Sequence, residues 1–219
     1  MARLFGPRGK PYDRSRLLAD AARARKKGRR EKAIALYREV LAVEPENDDL
    51  HRRIAPLLAE TKQPDAAWES YQRAADGLAK KGFLDQAVGV LREASARLPK
   101  RVALWEALSD FELKRRGPTD AAEVLLEARR QFRSRRERER AISLLLRAQK
   151  LVPRSFAVNF ELAKVFAKAG APKRARGILE ELAGRSRGRQ LRRVRGQQLR
   201  MSPTPFAAWR WLRAAVAGR

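Results

Sequence analysis

The stretch GFLDQAVGVLREASARLP, residues 82–99, decides the fold because its spacing of Gly, Ala, Leu, Ala and Pro occurs twice more in the chain. By itself it predicts one amphipathic helix with punctuation at both ends. Gly82 suits the left-handed conformation that ends a preceding helix, Asp85 lies near the new N-terminus, and Pro99 follows the last apolar turn. Ala87, Val88, Val90, Leu91, Ala94 and Leu98 recur at helical spacing, with Arg92, Glu93 and Arg97 elsewhere on the surface.

A shift of 54 residues backward brings the stretch onto GRREKAIALYREVLAVEP, residues 28–45, and the same shift forward onto RERERAISLLLRAQKLVP, residues 136–153. The shared columns are Gly28, Gly82 and Arg136; Ala33, Ala87 and Ala141; Tyr37, Leu91 and Leu145; Val40, Ala94 and Ala148; and Pro45, Pro99 and Pro153. The shift also aligns Ile54, Leu108 and Leu162; Pro64, Pro118 and Pro172; Ala67, Ala121 and Ala175; and Tyr71, Leu125 and Leu179. A repeat array has no single central core, since each unit buries its apolar face on its neighbours, and about three units suffice for stability.

The 219 residues contain no cysteine and one histidine, His51, so disulfides, thiolate metal sites and histidine clusters are excluded. No apolar run approaches the ~20 residues that cross a bilayer. The N-terminal MARLFGPRGKPYDRSR is basic without an apolar h-region, and its Gly and Pro residues interrupt the amphipathic helix of a transit peptide, so a cytoplasmic location is the default expectation. The formal charge of +26 is unevenly spread. Residues 1–30 carry 11 Lys and Arg against 2 Asp, and residues 185–219 carry 10 Arg and no acid. Basic ends on a more balanced body result.

Taken in order, a basic N-terminal segment (residues 1–12) precedes helices expected at 13–27, 29–43, 48–60, 65–80, 84–98, 102–114, 118–132, 137–151, 156–169 and 172–183. Pro56 is expected to kink the third or delay its start. RSRRERERA, residues 133–141, is a solvated helix start. No stretch alternates with the period of a strand. This body, residues 13–184, resembles the tetratricopeptide repeat family, whose 34-residue helix pairs favour small residues at the helix contact and a closing proline. The resemblance rests on Trp105, Leu108, Ala121, Leu125 and Ala128, and on Tyr71, Ala74, Ala75, Leu78, Gly82, Ala87, Leu91, Ala94 and Pro99. It extends to Leu17, Ala21, Gly28, Ala33, Tyr37 and Pro45, and to Leu162, Ala163, Phe166, Gly170, Ala175 and Leu179. It implies an all-α, right-handed helical-repeat solenoid of about ten antiparallel helices plus a C-terminal helix. One departure is informative: the column alanines at 33, 67, 87, 121, 141 and 175 are separated by 34 and 20 residues in turn. Residues 65–80 and 118–132 must therefore serve two helix pairs each, giving a 54-residue unit of three helices.

The resemblance also implies a partner groove along the first helices of the pairs, which picks out Glu69, Gln72, Asp76, Glu106 and Asp110 as a stripe for a basic or neutral peptide. The alternative is that these are ordinary solvated residues. The tail, residues 185–219, combines Arg189, Arg192, Arg193, Arg195, Arg200, Arg210 and Arg213 with Phe206, Trp209 and Trp211. Leu191, Val194 and Leu199 give its first half a helical stripe; Ser202–Pro205 break it; on a final helix over 206–217, Phe206, Trp209, Leu212 and Val216 share a sector with Trp211 off it. Its readings are a terminal cap, a docking helix for a protein, a lipid-surface anchor, a nucleic-acid contact, and an intramolecular partner for the acidic groove. No motif for catalysis, cofactor or metal is present, and His51 reads as a packed helix residue. The expected function is a non-enzymatic protein-binding scaffold or adaptor acting through the groove or the basic tail; the alternative is nucleic-acid or anionic-membrane binding through the basic ends.

Overall fold

The computed structural model describes residues 12–216; the basic segment before Tyr12 and the expected helix residue Ala217 lie outside the described residues. Among these there is no strand and there are twelve α-helices. They are α1 Arg14–Lys26, α2 Arg30–Leu41, α3 Asp48–Glu60, α4 Pro64–Lys80, α5 Leu84–Arg97 and α6 Val102–Arg115, followed by α7 Pro118–Arg129, α8 Arg138–Leu151, α9 Phe156–Lys168, α10 Pro172–Arg185, α11 Gly188–Met201 and α12 Pro205–Val216. Two compact units part between Phe111 and Glu112. In the first, α1 packs on α2, α2 on α3, α3 on α4 and α4 on α5; in the second, each helix from α7 to α12 packs on the next. This consecutive pairing is that of an all-α helical-repeat solenoid.

The helix starts repeat in register. α2, α5 and α8 begin at Arg30, Leu84 and Arg138; α3, α6 and α9 at Asp48, Val102 and Phe156; α4, α7 and α10 at Pro64, Pro118 and Pro172, each 54 residues after the last. Local chemistry sets these starts. Proline at the first turn loses a backbone donor that has no helical partner there and brings a φ already suited to the helix. Ahead of α2 and α5, Gly28 and Gly82 take the left-handed conformation, with φ of 70° and 84°. The third copy has Arg136 in that column and uses one turn of 3-10 helix, Arg135–Glu137, in which the Ser134 amide donates to Glu137 Oε2 at 3.0 Å. The charged start expected at 137 accordingly begins one residue later.

Two elements differ from expectation. Pro56 neither delays nor interrupts α3, which begins at Asp48 with the Asn47 side chain accepting from the Leu50 amide at 3.1 Å. The cap, together with burial of Leu50, Ile54, Leu57 and Leu58, outweighs the one backbone bond that Pro56 removes. α7 stops at Arg129, short of Phe132, because the Arg130, Gln131 and Phe132 amides turn to carbonyls three residues back, at 2.9–3.1 Å.

The alanine columns form the helix contacts: Ala33, Ala67, Ala87, Ala121 and Ala175 are wholly buried, Ala141 all but so. A second device closes the loop between the first and second helix of every unit. His51 Nε2 pairs with the Pro45 carbonyl at 2.9 Å, Trp105 Nε1 donates to the Pro99 carbonyl at 2.9 Å, and Asn159 Nδ2 donates to the Pro153 carbonyl at 2.7 Å. Three chemically different side chains in one column thus hold the same proline carbonyl. His51 is buried and packed against its own loop.

Tyr71, fully buried on α4, donates its hydroxyl to Glu93 Oε1 of α5 at 3.2 Å. Burial and then the Glu93 charge raise its pKa above the ordinary value of 10.0. A raised folded pKa contributes stability that is complete below the unfolded value and is lost as pH climbs past it. Unfolding free energy should therefore fall above about pH 10 more steeply in the natural chain than in Tyr71→Phe, as read by urea titration. Parallel pH profiles would contradict this.

The Arg-rich half of the tail is α11, and it continues the stack. Val194 is wholly buried in a cluster with Phe160 and Ala163 of α9 and Leu179 and Leu182 of α10, while Leu191 and Leu199 are half-buried. α12 then packs on α11 through the buried Ala214 and through Trp211, whose Nε1 lies 3.3 Å from where a Cβ on Gly196 would stand. Any larger residue at 196 would push the indole away.

Candidate functional site

Of the residues expected to line a groove, Glu69, Gln72 and Asp76 point outward from α4 and are exposed; Glu106 and Asp110 on α6 are half-buried. Glu69 pairs with Arg73 of its own helix at 2.9 Å. Asp76, Glu106 and Asp110 each have an interaction as well. One unit later, the same columns hold Glu123, Leu126, Arg130, Phe160 and Lys164. There they border two clefts of different character, Glu123 and Leu126 the first, Phe160 and Lys164 the second.

The first is a groove of about 550 Å³ between α7, the loop before α9, and the start of α9. Its walls are Ala122 and Leu126 of α7, Val152 and Pro153 of the loop, and Ala157 and Val158 of α9; Thr119, Glu123, Arg154 and Ser155 form its polar margin. The columns explain why space exists here. Trp68 stands where Ala122 does, Gln72 where Leu126 does, and Asp65 and Arg101, which form an ion pair across the same loop, stand where Thr119 and Ser155 do. In the first copy, Arg14 and Glu44 occupy the columns of Ala122 and Val152 and form an ion pair at 2.7 Å, to which the Tyr12 hydroxyl donates at 3.2 Å. Two copies thus fill or bridge these positions with large or charged side chains. The third has Ala122, Thr119 and Ser155, which reach across nothing.

The tail residues form the second site. Arg189, Arg192, Arg193 and Arg200 are exposed on α11. Arg195 is half-buried, donating to Gln198 Oε1 at 2.8 Å; burial and then Arg210 hold its guanidinium below the ordinary arginine value, against the opposing pull of Glu180. Phe206, Trp209, Leu212 and Val216 do share one face of α12, and that face is open to solvent, from 52% to 75% exposed. Phe206 and Trp209 stack with centroids 6.1 Å apart, and Arg210 and Arg213 lie over the same two rings at 5.5 and 5.4 Å. The sector that packs is the other one, with Trp211. Between α9, α11 and α12 a cleft of about 360 Å³ is lined by Lys164, Arg192, Arg193 and Arg200 together with Phe160, Gln197 and Trp211.

The α7–α9 groove is absent from the expected site residues because it arises where the copies disagree, whereas Arg192, Arg193, Arg200 and Trp211 of the cleft are expected tail residues and Phe160, Lys164 and Gln197 are the additions. The signal was present in the columns: Trp68 gives way to Ala122, and Glu106 and Asp110 give way to Phe160 and Lys164. Among the described residues no cluster of His, Asp or Glu could hold a metal, and no helix is long and apolar enough to cross a membrane.

Comparison with known proteins gives a sequence model of a family described as tetratricopeptide repeat, which matches residues 16–79, 73–135 and 126–190. Successive matches overlap within α4 and at the C-terminal end of α7, the two helices that the alanine spacing assigns to two pairs each. Similar solved structures include a tetratricopeptide repeat protein from Parabacteroides merdae, 15% identical over 94% of this chain and 93% of that one, with a TM-score of 0.35. The MamA protein is 14% identical over 93% and 90% with a TM-score of 0.31, and pilF of Pseudomonas aeruginosa 18% identical over 93% and 89% with a TM-score of 0.29. No curated protein matches.

Proposed function

The chain belongs to the tetratricopeptide repeat family, and on that premise we propose that it is a scaffold or adaptor that takes a peptide or helix of another protein into the groove between α7 and α9. Such repeats generally mediate protein–protein contact and are typically non-enzymatic. The observation that carries the reading is the open third copy: a mainly apolar groove of about 550 Å³ where the sister positions hold Trp68 or the Arg14–Glu44 pair. An apolar groove with a few polar groups at its margin suits two or three apolar side chains presented on one segment, with Glu123 and Arg154 available to fix its direction.

The test uses the chain's own sister copies as the design. Ala122→Trp restores the second copy's side chain, and Thr119→Asp with Ser155→Arg restores its bridge. Partners captured by the natural protein after nuclease treatment should be lost, by at least about tenfold in affinity, from both variants. Capture unchanged in both would end the reading. Capture lost instead on charge reversal of Glu69, Asp76, Glu106 and Asp110 would move the partner to the first unit.

A further inference from the structure

Arg192, Arg193 and Arg200 converge on the cleft between α9, α11 and α12 with no counterion among the described residues. No acid follows Glu181 in the sequence, so α11 and α12 supply none. The nearby carboxylate on α9, Glu161, is already shared between Lys164 at 2.7 Å and Arg129 at 3.2 Å. Like charges gathered in this way repel one another, and the arrangement is held by packing. Arg193 lies over the Phe160 ring at 4.8 Å and the Phe156 ring at 5.5 Å, rings that stack on each other at 5.4 Å. A ring face orders a guanidinium without neutralising it, leaving its edge N–H donors free for an anion. Gly196 brings the Trp211 indole close against α11 as the opposite wall.

We propose that this cleft binds the phosphate chain of a small oligophosphate, free or carried on a nucleoside. Three uncompensated arginines and a partly compensated lysine call for several negative charges within a few ångströms, which a phosphate chain supplies and a single carboxylate does not. The volume of about 360 Å³ suits a small ligand. Gln197 and the indole edge of Trp211 add a donor-acceptor pair and a π surface beside the cations. The site is separate from the α7–α9 groove and does not depend on the protein-binding reading.

Titration calorimetry of the full chain with sodium tripolyphosphate and with ATP, both at about 150 mM salt, tests it. One saturable site per chain is expected for at least one of them; tighter binding of ATP would assign the nucleoside to the Trp211 wall, and equal binding would assign the phosphates alone. Arg200→Gln and Arg193→Gln should each weaken binding about tenfold, the loss of one charge-assisted contact. The pair Arg136→Gln with Arg140→Gln, exposed residues that do not line the cleft, removes as much charge as both together and should leave affinity unchanged. No saturable binding, an equal loss in the Arg136 and Arg140 variant, or binding only of a 5′-hydroxyl oligonucleotide would overturn the proposal.

Discussion

Trp105→Ala is expected to lower the free energy of unfolding by about 3–5 kcal/mol, the range for truncating a fully buried aromatic. Trp105 is among the largest side chains with essentially no exposure, and its indole N–H holds the Pro99 carbonyl at 2.9 Å. The substitution therefore removes packing volume and releases the loop between α5 and α6 together. Trp105→Phe separates the two contributions: it keeps most of the volume and leaves the Pro99 carbonyl unpaired, for an expected loss of about 1–2 kcal/mol. Urea unfolding followed by far-ultraviolet circular dichroism measures both, and similar losses for Ala and Phe would show that the hydrogen bond, not the packing, dominates. A loss below about 1 kcal/mol for Ala would contradict the packing argument.

Asn159→Leu should cost about 2–4 kcal/mol although leucine is close in volume and apolar. Asn159 is buried and fully engaged: Nδ2 donates to the Pro153 and Ser155 carbonyls at 2.7 and 2.9 Å, and Oδ1 accepts from Gln149 Nε2 at 2.6 Å. Leucine leaves the Pro153 carbonyl and the Gln149 side-chain amide without these partners, while the Ser155 carbonyl keeps the backbone N–H of residue 159 at 3.1 Å. The effect should be local. In an array whose units contact only their neighbours, amides of α8 and α9 should exchange faster than those of the first unit. Uniform acceleration across the chain would mean that the loss is transmitted through the whole array.

Most of the fold was legible because its determinants are short-range. The prolines at 64, 118 and 172, the glycines at 28 and 82 and the buried alanine columns each act within a turn or across one helix contact, so their spacing reports helix starts and pairings directly. The delayed start weighed at Pro56 misled for the same reason, since a local rule met a cap and a buried face that it does not weigh. The candidate sites were less legible. The face bearing Glu69 and Gln72 was read from family position; the groove proposed as the partner site lies one unit on, where Ala122 leaves out the side chain that Trp68 supplies. Agreement among copies announces a frame; a site opens where one copy departs from it. In the tail, helical spacing identified the residues sharing a face with Phe206 and left open whether that face is covered. The side of α12 that packs is the one bearing Trp211, which lies close against Gly196 of α11.

The 54-residue register of helix starts makes chain length a discrete quantity. Phe83 precedes the first residue of α5, and Glu137 precedes the first residue of α8, so a chain lacking residues 84–137 would carry α4 straight into a helix with the same alanine and proline columns as the one removed. Whole cassettes can be gained or lost without inventing a new joint. Redundancy of this sort frees one copy to experiment. While sister cassettes keep a tryptophan or an ion pair at the joint and hold the frame, the third can give up that lock and keep the vacancy.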